Sequence, residues 1–253
     1  MNDHVRMSSI LSSSHTSRAN RLLDCNSTPG MYKVCGCCGR VVWHYGGPWQ
    51  CRDRFCPRCS HLLFDRYAMR CKEHLSRSPS GSYALVTLAQ IPPRLPLPQQ
   101  LGLLARCWSE LVSSYSWRFV SGAVRKQEVS WSQEGFNAHY HALLAAPAGT
   151  DLYSLLWPSL DRLRSSVSVT WTPVGSLYEA RNVLGYFRKP ECTGMDEWSD
   201  AACLSAVDAL HGTKAWVLSG FFRPQLPAKS GAQICSQCGG RYAISDAAPS
   251  GAG

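Results

Sequence analysis

The stretch "EVSWSQEGFNAHYHALLAAP", residues 128 to 147, holds two β-rich runs on either side of a polar turn that contains a glycine. Successive strand side chains alternate faces, so His139 and His141 point one way while Ala138, Tyr140 and Ala142 point the other. Two histidines so placed are either core side chains satisfied by neighbours or metal ligands, since neutral imidazole is the commonest metal-binding side chain. A two-residue turn at Glu134-Gly135, with glycine where positive φ is needed, sets Glu128 opposite His141 and diagonal to His139. A carboxylate and two imidazoles then converge on one face. Three protein ligands leave open positions for substrate oxygens, as a catalytic metal requires. A plain Glu–His⁺ cross-strand pair is the competing account.

Outward from this hairpin the order of elements is legible. "SYALVTLAQ" (82–90) is β-rich, and "IPPRLPLP" after it is a rigid connector. From Gln99 to about Val120, Leu101, Leu104, Trp108, Leu111, Val112 and Tyr115 recur at helical spacing. "AVRKQEVSW" (123–131) is the first strand of the hairpin. "DLYSLLWPSLDRLRSS" reads as a helix bent or broken near Pro158. "VSVTWTPV" (167–174) is a strand, and "SLYEARNVLGYFRK" (176–189) a helix stopped by Pro190. The order β-α-β-β-α-β predicts an α+β fold, a ferredoxin-like antiparallel sheet with helices mainly on one face.

The chain has 253 residues, 45% hydrophobic, enough for one main domain with small appendages. No run approaches the ~18–20 apolar residues of a membrane span. The N-terminal residues carry no apolar h-region, which argues against secretion and for the cytoplasm. A net charge of +9 points to a polyanionic partner.

Thirteen cysteines without a signal peptide favour metal over disulfides. Cys35-x-x-Cys38 and Cys56-x-x-Cys59, 17 residues apart, have zinc-ribbon spacing. Cys37, Cys51 and His44 lie among them, so the identity of the four ligands stays open. Cys235-x-x-Cys238 repeats the motif near the C-terminus. Cys25, Cys71, Cys107, Cys192 and Cys203 are isolated and read as small buried hydrophobes. Arg52, Arg54 and Arg58 among the cysteines, and Arg188 further on, are candidate phosphate contacts. The divisions expected are a flexible segment over 1–30, a zinc module with a basic helix over 31–78, a main domain over 79–225, and a C-terminal CxxC segment and tail over 226–253.

Three stretches resemble one family, the plasmid rolling-circle replication initiators (Rep proteins) of the HUH endonuclease superfamily. "ALVTLAQ" resembles its first motif, "HYH" followed by "ALL" its second, and "NVLGYFRK" its third, while "CRDRFCPRC" is similar to the cysteine cluster many initiators carry upstream. The similarity covers roughly residues 35 to 225. It implies that His139 and His141 hold Mg²⁺ or Mn²⁺ at a scissile phosphate, and the hairpin register adds Glu128 as third ligand. Tyr186 would attack, leaving a 5′-phosphotyrosine and a free 3′-OH, with Lys189 one turn on as phosphate contact. The implied partners are plasmid origin DNA, single- and double-stranded, with a host helicase and polymerase, in a bacterial cytoplasm; zinc would be structural. Where relatives place a glutamate one turn before the tyrosine, this chain has Asn182. Glu179, two turns back, is the candidate base, and Tyr178 a candidate second tyrosine. An HUH transposase or relaxase shares these motifs, and an inert zinc-dependent DNA-binding regulator is the rival of a different class.

Overall fold

The computed structural model describes residues 3–12, 15–27, 31–35, 37–38, 41–44, 53–77, 81–91, 95–192, 194–223, 235, 237–238 and 242–245. In chain order the elements are α1 (Asp3–Ser12), α2 (Thr16–Ser27), β1 (Met31–Cys35), β2 (Val41–His44), α3 (Pro57–Arg77), β3 (Gly81–Gln90), α4 (Leu97–Ser113), β4 (Gly122–Ser132), β5 (Gly135–Pro147), α5 (Leu152–Leu163), β6 (Val167–Val174), α6 (Leu177–Tyr186), α7 (Asp200–Leu210), β7 (Trp216–Gly220) and β8 (Tyr242–Ser245). Two compact units result, one of residues 1–56 with 224–253, the other of residues 57–223. Among the described residues, no helix is long and apolar enough to cross a membrane.

The larger unit is α+β, built on a five-stranded sheet ordered β6-β3-β5-β4-β7. Every neighbouring pair is antiparallel. Alternation sorts the strand residues into two layers. On one face Tyr83, Val124, Leu143 and Ala145 pack with Phe64, Ala68, Cys71 and Leu75 of α3 and with Ala180 and Leu184 of α6. On the other, Ala84, Val86, Leu88, Ala142 and Leu144 are buried. There α4 presents its apolar stripe of Leu97, Leu101, Leu104, Trp108 and Leu111. Helices therefore cover both faces, not mainly one. The helix α3, expected in the zinc module, belongs with the sheet because its stripe at spacings of three and four seals the core.

Two local expectations are corrected. Within the segment over 1–30 expected to be flexible, residues 3–12 and 16–27 form helices. Their Met7, Leu11, Ala19 and Leu22 are buried and supply the apolar contacts. Pro158 lies inside α5 without dividing it.

Candidate functional site

The β4–β5 hairpin does not turn at Glu134-Gly135. Ser132 pairs with Gly135, so Gln133 and Glu134 make the turn and Gly135 opens β5 at φ 105°. Glu128 consequently faces His139, and Lys126 faces His141. The register differs from the expected one by two residues. Side-chain period in a strand is also two, so the shift leaves Glu128 on the histidine face.

Glu128 Oε2 lies 3.6 Å from His141 Nε2 and 3.9 Å from His139 Nε2. The three ligand atoms fall within 4.8 Å of one another, close enough to share one ion. The His141 ring is held from behind. His141 Nδ1 is 2.9 Å from Thr87 Oγ1 on the adjacent β3. In the tautomer that donates this Nδ1–H to Thr87, the Nε2 lone pair is aimed into the cluster, the usual outer support of a metal-binding histidine. His141 Nε2 is buried and makes no hydrogen bond. An orphaned imidazole nitrogen beside a carboxylate is what a divalent cation would satisfy. Burial is the largest cause pulling both imidazole pKa values down, that of His141 to about 4. Both rings are thus neutral at neutral pH and able to ligate. Upstream, Gln100 of α4 is wholly buried: its Oε1 accepts from Ala138 N–H at 2.9 Å, and its Nε2 donates to Leu95 and Phe136 carbonyls. These bonds fix the backbone one residue before His139.

Tyr186 is the last residue of α6, and its ring stands edge-on to His141 with centroids 5.6 Å apart. It is 41% exposed, so the hydroxyl can meet a ligand from solvent. Lys189 Nζ sits 4.2 Å from its ring centroid, and Lys126 Nζ 5.9 Å. Burial first, then Glu128, raise the phenol pKa. A phenolate here depends on nearby cations. The segment beyond α6 is pinned to the sheet: Glu191 O accepts from Val129 N–H at 2.8 Å, and Glu191 Oε1 from Gln127 Nε2 at 2.7 Å.

Glu179 is not brought to the tyrosine. Ser176 Oγ accepts from Glu179 N–H as N-cap, and Glu179 Oε2 accepts from the N–H of Gly175, one residue before that cap, at 2.7 Å, so the carboxylate is spent on the start of α6. Tyr186 is seven positions further along the helix, about 10 Å of rise. Tyr178, 73% exposed, lies in that same first turn. Arg188 is ion-paired to Asp65 of α3, which raises its pKa. Arg54 is half-buried in the turn before α3, and Arg58 sits in that helix's first turn. Cys51 and Arg52 lie outside the described residues. Lys126, Thr87 and Glu191 were missed, although Lys126 and Glu128 share a face by simple alternation.

The cysteines pair differently from their spacing. Cys35 and Cys38 meet Cys235 and Cys238, not Cys56 and Cys59. The Cys35–Cys238 and Cys38–Cys235 sulfurs are 3.4 and 3.8 Å apart. Four thiolates about 2.3 Å from one Zn²⁺ in a tetrahedron have sulfurs about 3.8 Å apart, so this cluster can hold a metal such as zinc. Backbone N–H groups of Cys38 and Cys37 pull the Cys35 thiol pKa down. β1 pairs with both β2 and β8, which brings the two cysteine pairs together. Cys25 is no isolated hydrophobe: its sulfur lies 3.7 Å from that of Cys56. Cys59 is buried one turn on, in α3. Cys71, Cys107, Cys192 and Cys203 are buried thiols, and burial pushes Cys71 up to about 12.

Comparison of the chain with protein-family profiles, with curated proteins and with solved structures gives no match.

Proposed function

We propose that this chain is a nicking and joining enzyme for single-stranded DNA, an initiator of plasmid rolling-circle replication of the HUH type. The observation that carries the reading is the edge-on placement of Tyr186 against His141, a member of the Glu128–His139–His141 cluster. A tyrosine, two neutral imidazoles, a carboxylate and two lysines suit phosphoryl transfer at one phosphate. A bound Mg²⁺ or Mn²⁺ would polarise a non-bridging phosphate oxygen and offset charge at phosphorus. Glu128 Oε2 and the two Nε2 atoms would hold it. Tyr186 Oη forms the new P–O bond while the bond to the 3′ oxygen breaks. The proton lost by the phenol is balanced by the one gained at the 3′-OH, which a host polymerase can extend. Attack by a 3′-OH on the phosphotyrosine reverses these bonds and rejoins the strand without ATP. Lys189 offsets charge on the phenolate leaving group.

The supporting parts fit the same reading. We take the first four strands of the larger sheet, β6-β3-β5-β4, as a ferredoxin-like unit to which β7 adds an edge. We assign zinc to Cys35, Cys38, Cys235 and Cys238, because an all-thiolate set selects Zn²⁺ whereas two imidazoles and a carboxylate accept Mg²⁺ or Mn²⁺. The net charge of +9 supports a polyanionic partner, which we take to be origin DNA; a bacterial cytoplasm and a replicative helicase belong to the same proposal. The test is incubation with 5′- and 3′-labelled single strands from a plasmid origin in Mn²⁺. A covalent adduct on the fragment 3′ to the nick, resistant to denaturant and lost in Tyr186→Phe, is expected. Specific duplex binding with no adduct under any divalent cation would favour the inert regulator instead.

A further inference from the structure

Lys126 is a charged residue at the proposed site to which the chemistry above gives no individual role. Its side chain is 0% exposed, in the middle of β4. Such a charge needs a fixed counter-charge, since burying an unpaired ammonium is costly. Its ion-pair partner is Glu128, and the atom it approaches is Oε2, at 3.5 Å. That is the same oxygen on which both imidazoles converge, at 3.6 and 3.9 Å. The placement follows from the register: Lys126 faces His141, and Glu128 faces His139, all on one face of the hairpin.

We propose that Lys126 sets the affinity of the divalent-cation site by competing for Glu128 Oε2, making the cation weakly held and exchangeable. This rests on the reading of Glu128, His139 and His141 as cation ligands. With neutral imidazoles, Lys126 and Glu128 offset one another's charge without a metal. An incoming divalent cation must share or displace the ammonium and bind beside a fixed positive charge. A unit charge a few ångströms from a divalent ion in a partly buried site opposes binding by far more than tenfold before compensation. Lys126 is thus a positioning residue, acting on the cation through Glu128. Lys189 differs in kind, being exposed and placed over the tyrosine ring.

The test is Mn²⁺ titration of the full-length, zinc-loaded protein without DNA, reading unbound Mn²⁺ by electron paramagnetic resonance. The variants are Lys126→Met and Lys126→Gln, one apolar and one polar so that a packing fault in either leaves the other readable. Circular dichroism melts confirm that each is folded. Lys126→Met and Lys126→Gln should bind one Mn²⁺ at least about tenfold more tightly than wild type, at a site abolished by His139→Ala. A merely structural lysine would lower the melting temperature and leave the Mn²⁺ affinity alone. Unchanged or weaker affinity in the folded variants, with a His139-dependent ion in wild type, overturns the role of Lys126 only. Absence of a His139-dependent ion from wild type and from both variants overturns the cation reading together with it.

Discussion

The Tyr186 ring stands at 90° to the His141 ring, with centroids 5.6 Å apart, where the end of a helix meets the centre of a sheet. His141 is in turn tied to Thr87 and adjoins Glu128, so the tyrosine is registered against a rigid strand hairpin and not against a loop. Positioning to within about 1 Å is what transfer at phosphorus demands.

Tyr186→Phe keeps that ring contact and removes only the hydroxyl. Adduct formation and nicking should fall below detection, while origin affinity changes less than about threefold because phosphate neutralisation supplies most of it. Labelled-strand gels and a binding titration read the two separately. Tyr178→Phe should nick normally; if it is the Tyr178 variant that loses the adduct, the nucleophile is misassigned.

Thr87→Val leaves the proposed metal ligands in place but removes the hydrogen bond that orients His141. Losses of outer-shell partners run to about 10–100-fold in metal affinity or activity. Mn²⁺ dependence of nicking should therefore shift to higher concentration, with the plateau rate reduced less than the affinity.

The depressed His141 pKa makes stability depend on pH. Above its unfolded value of about 6.5 the imidazole is neutral in both states and costs nothing. As pH falls from about 6.5 toward the folded value of about 4, only the unfolded chain takes up the proton, so the native state loses stability through that window. The full effect is about 3 kcal/mol. Without added divalent metal, His141→Gln should show a flatter melting-temperature profile from pH 7 to 4 than wild type.

Glu179→Ala removes the carboxylate that accepts from Gly175 N–H at the start of α6 and should cost about 1 kcal/mol, visible in urea denaturation, with the nicking rate intact. A hundredfold loss of strand joining in this variant would instead return Glu179 to the chemistry.

Removal of residues 224–253 deletes Cys235, Cys238 and β8. The protein should lose one zinc per chain by elemental analysis, and β1 and β2 should lose protection in hydrogen exchange. Residues 57–223 keep their core and should melt cooperatively. Cys235→Ser with Cys238→Ser should reproduce the zinc loss, whereas Cys56→Ser with Cys59→Ser should leave that zinc bound.

Much of the larger unit was written in local pattern. β3 to β6, α4 and α6 follow from periods of two and 3.6, and the shared face of His139, His141 and Glu128 from strand alternation alone. That face survived a wrong turn because a slip of two residues preserves it. What the sequence could not decide was which distant groups meet. Cys35 finds Cys238, and not the nearer CxxC, because β8 pairs with β1, and strand pairing across about 200 residues leaves no local trace. Lys126 shows the same division. Its place on the histidine face is fixed by its number in the strand, but its burial against the carboxylate required α6, the sheet and Tyr186 to close over it. Local sequence sets each side chain's direction; only packing sets what lies at the end of it.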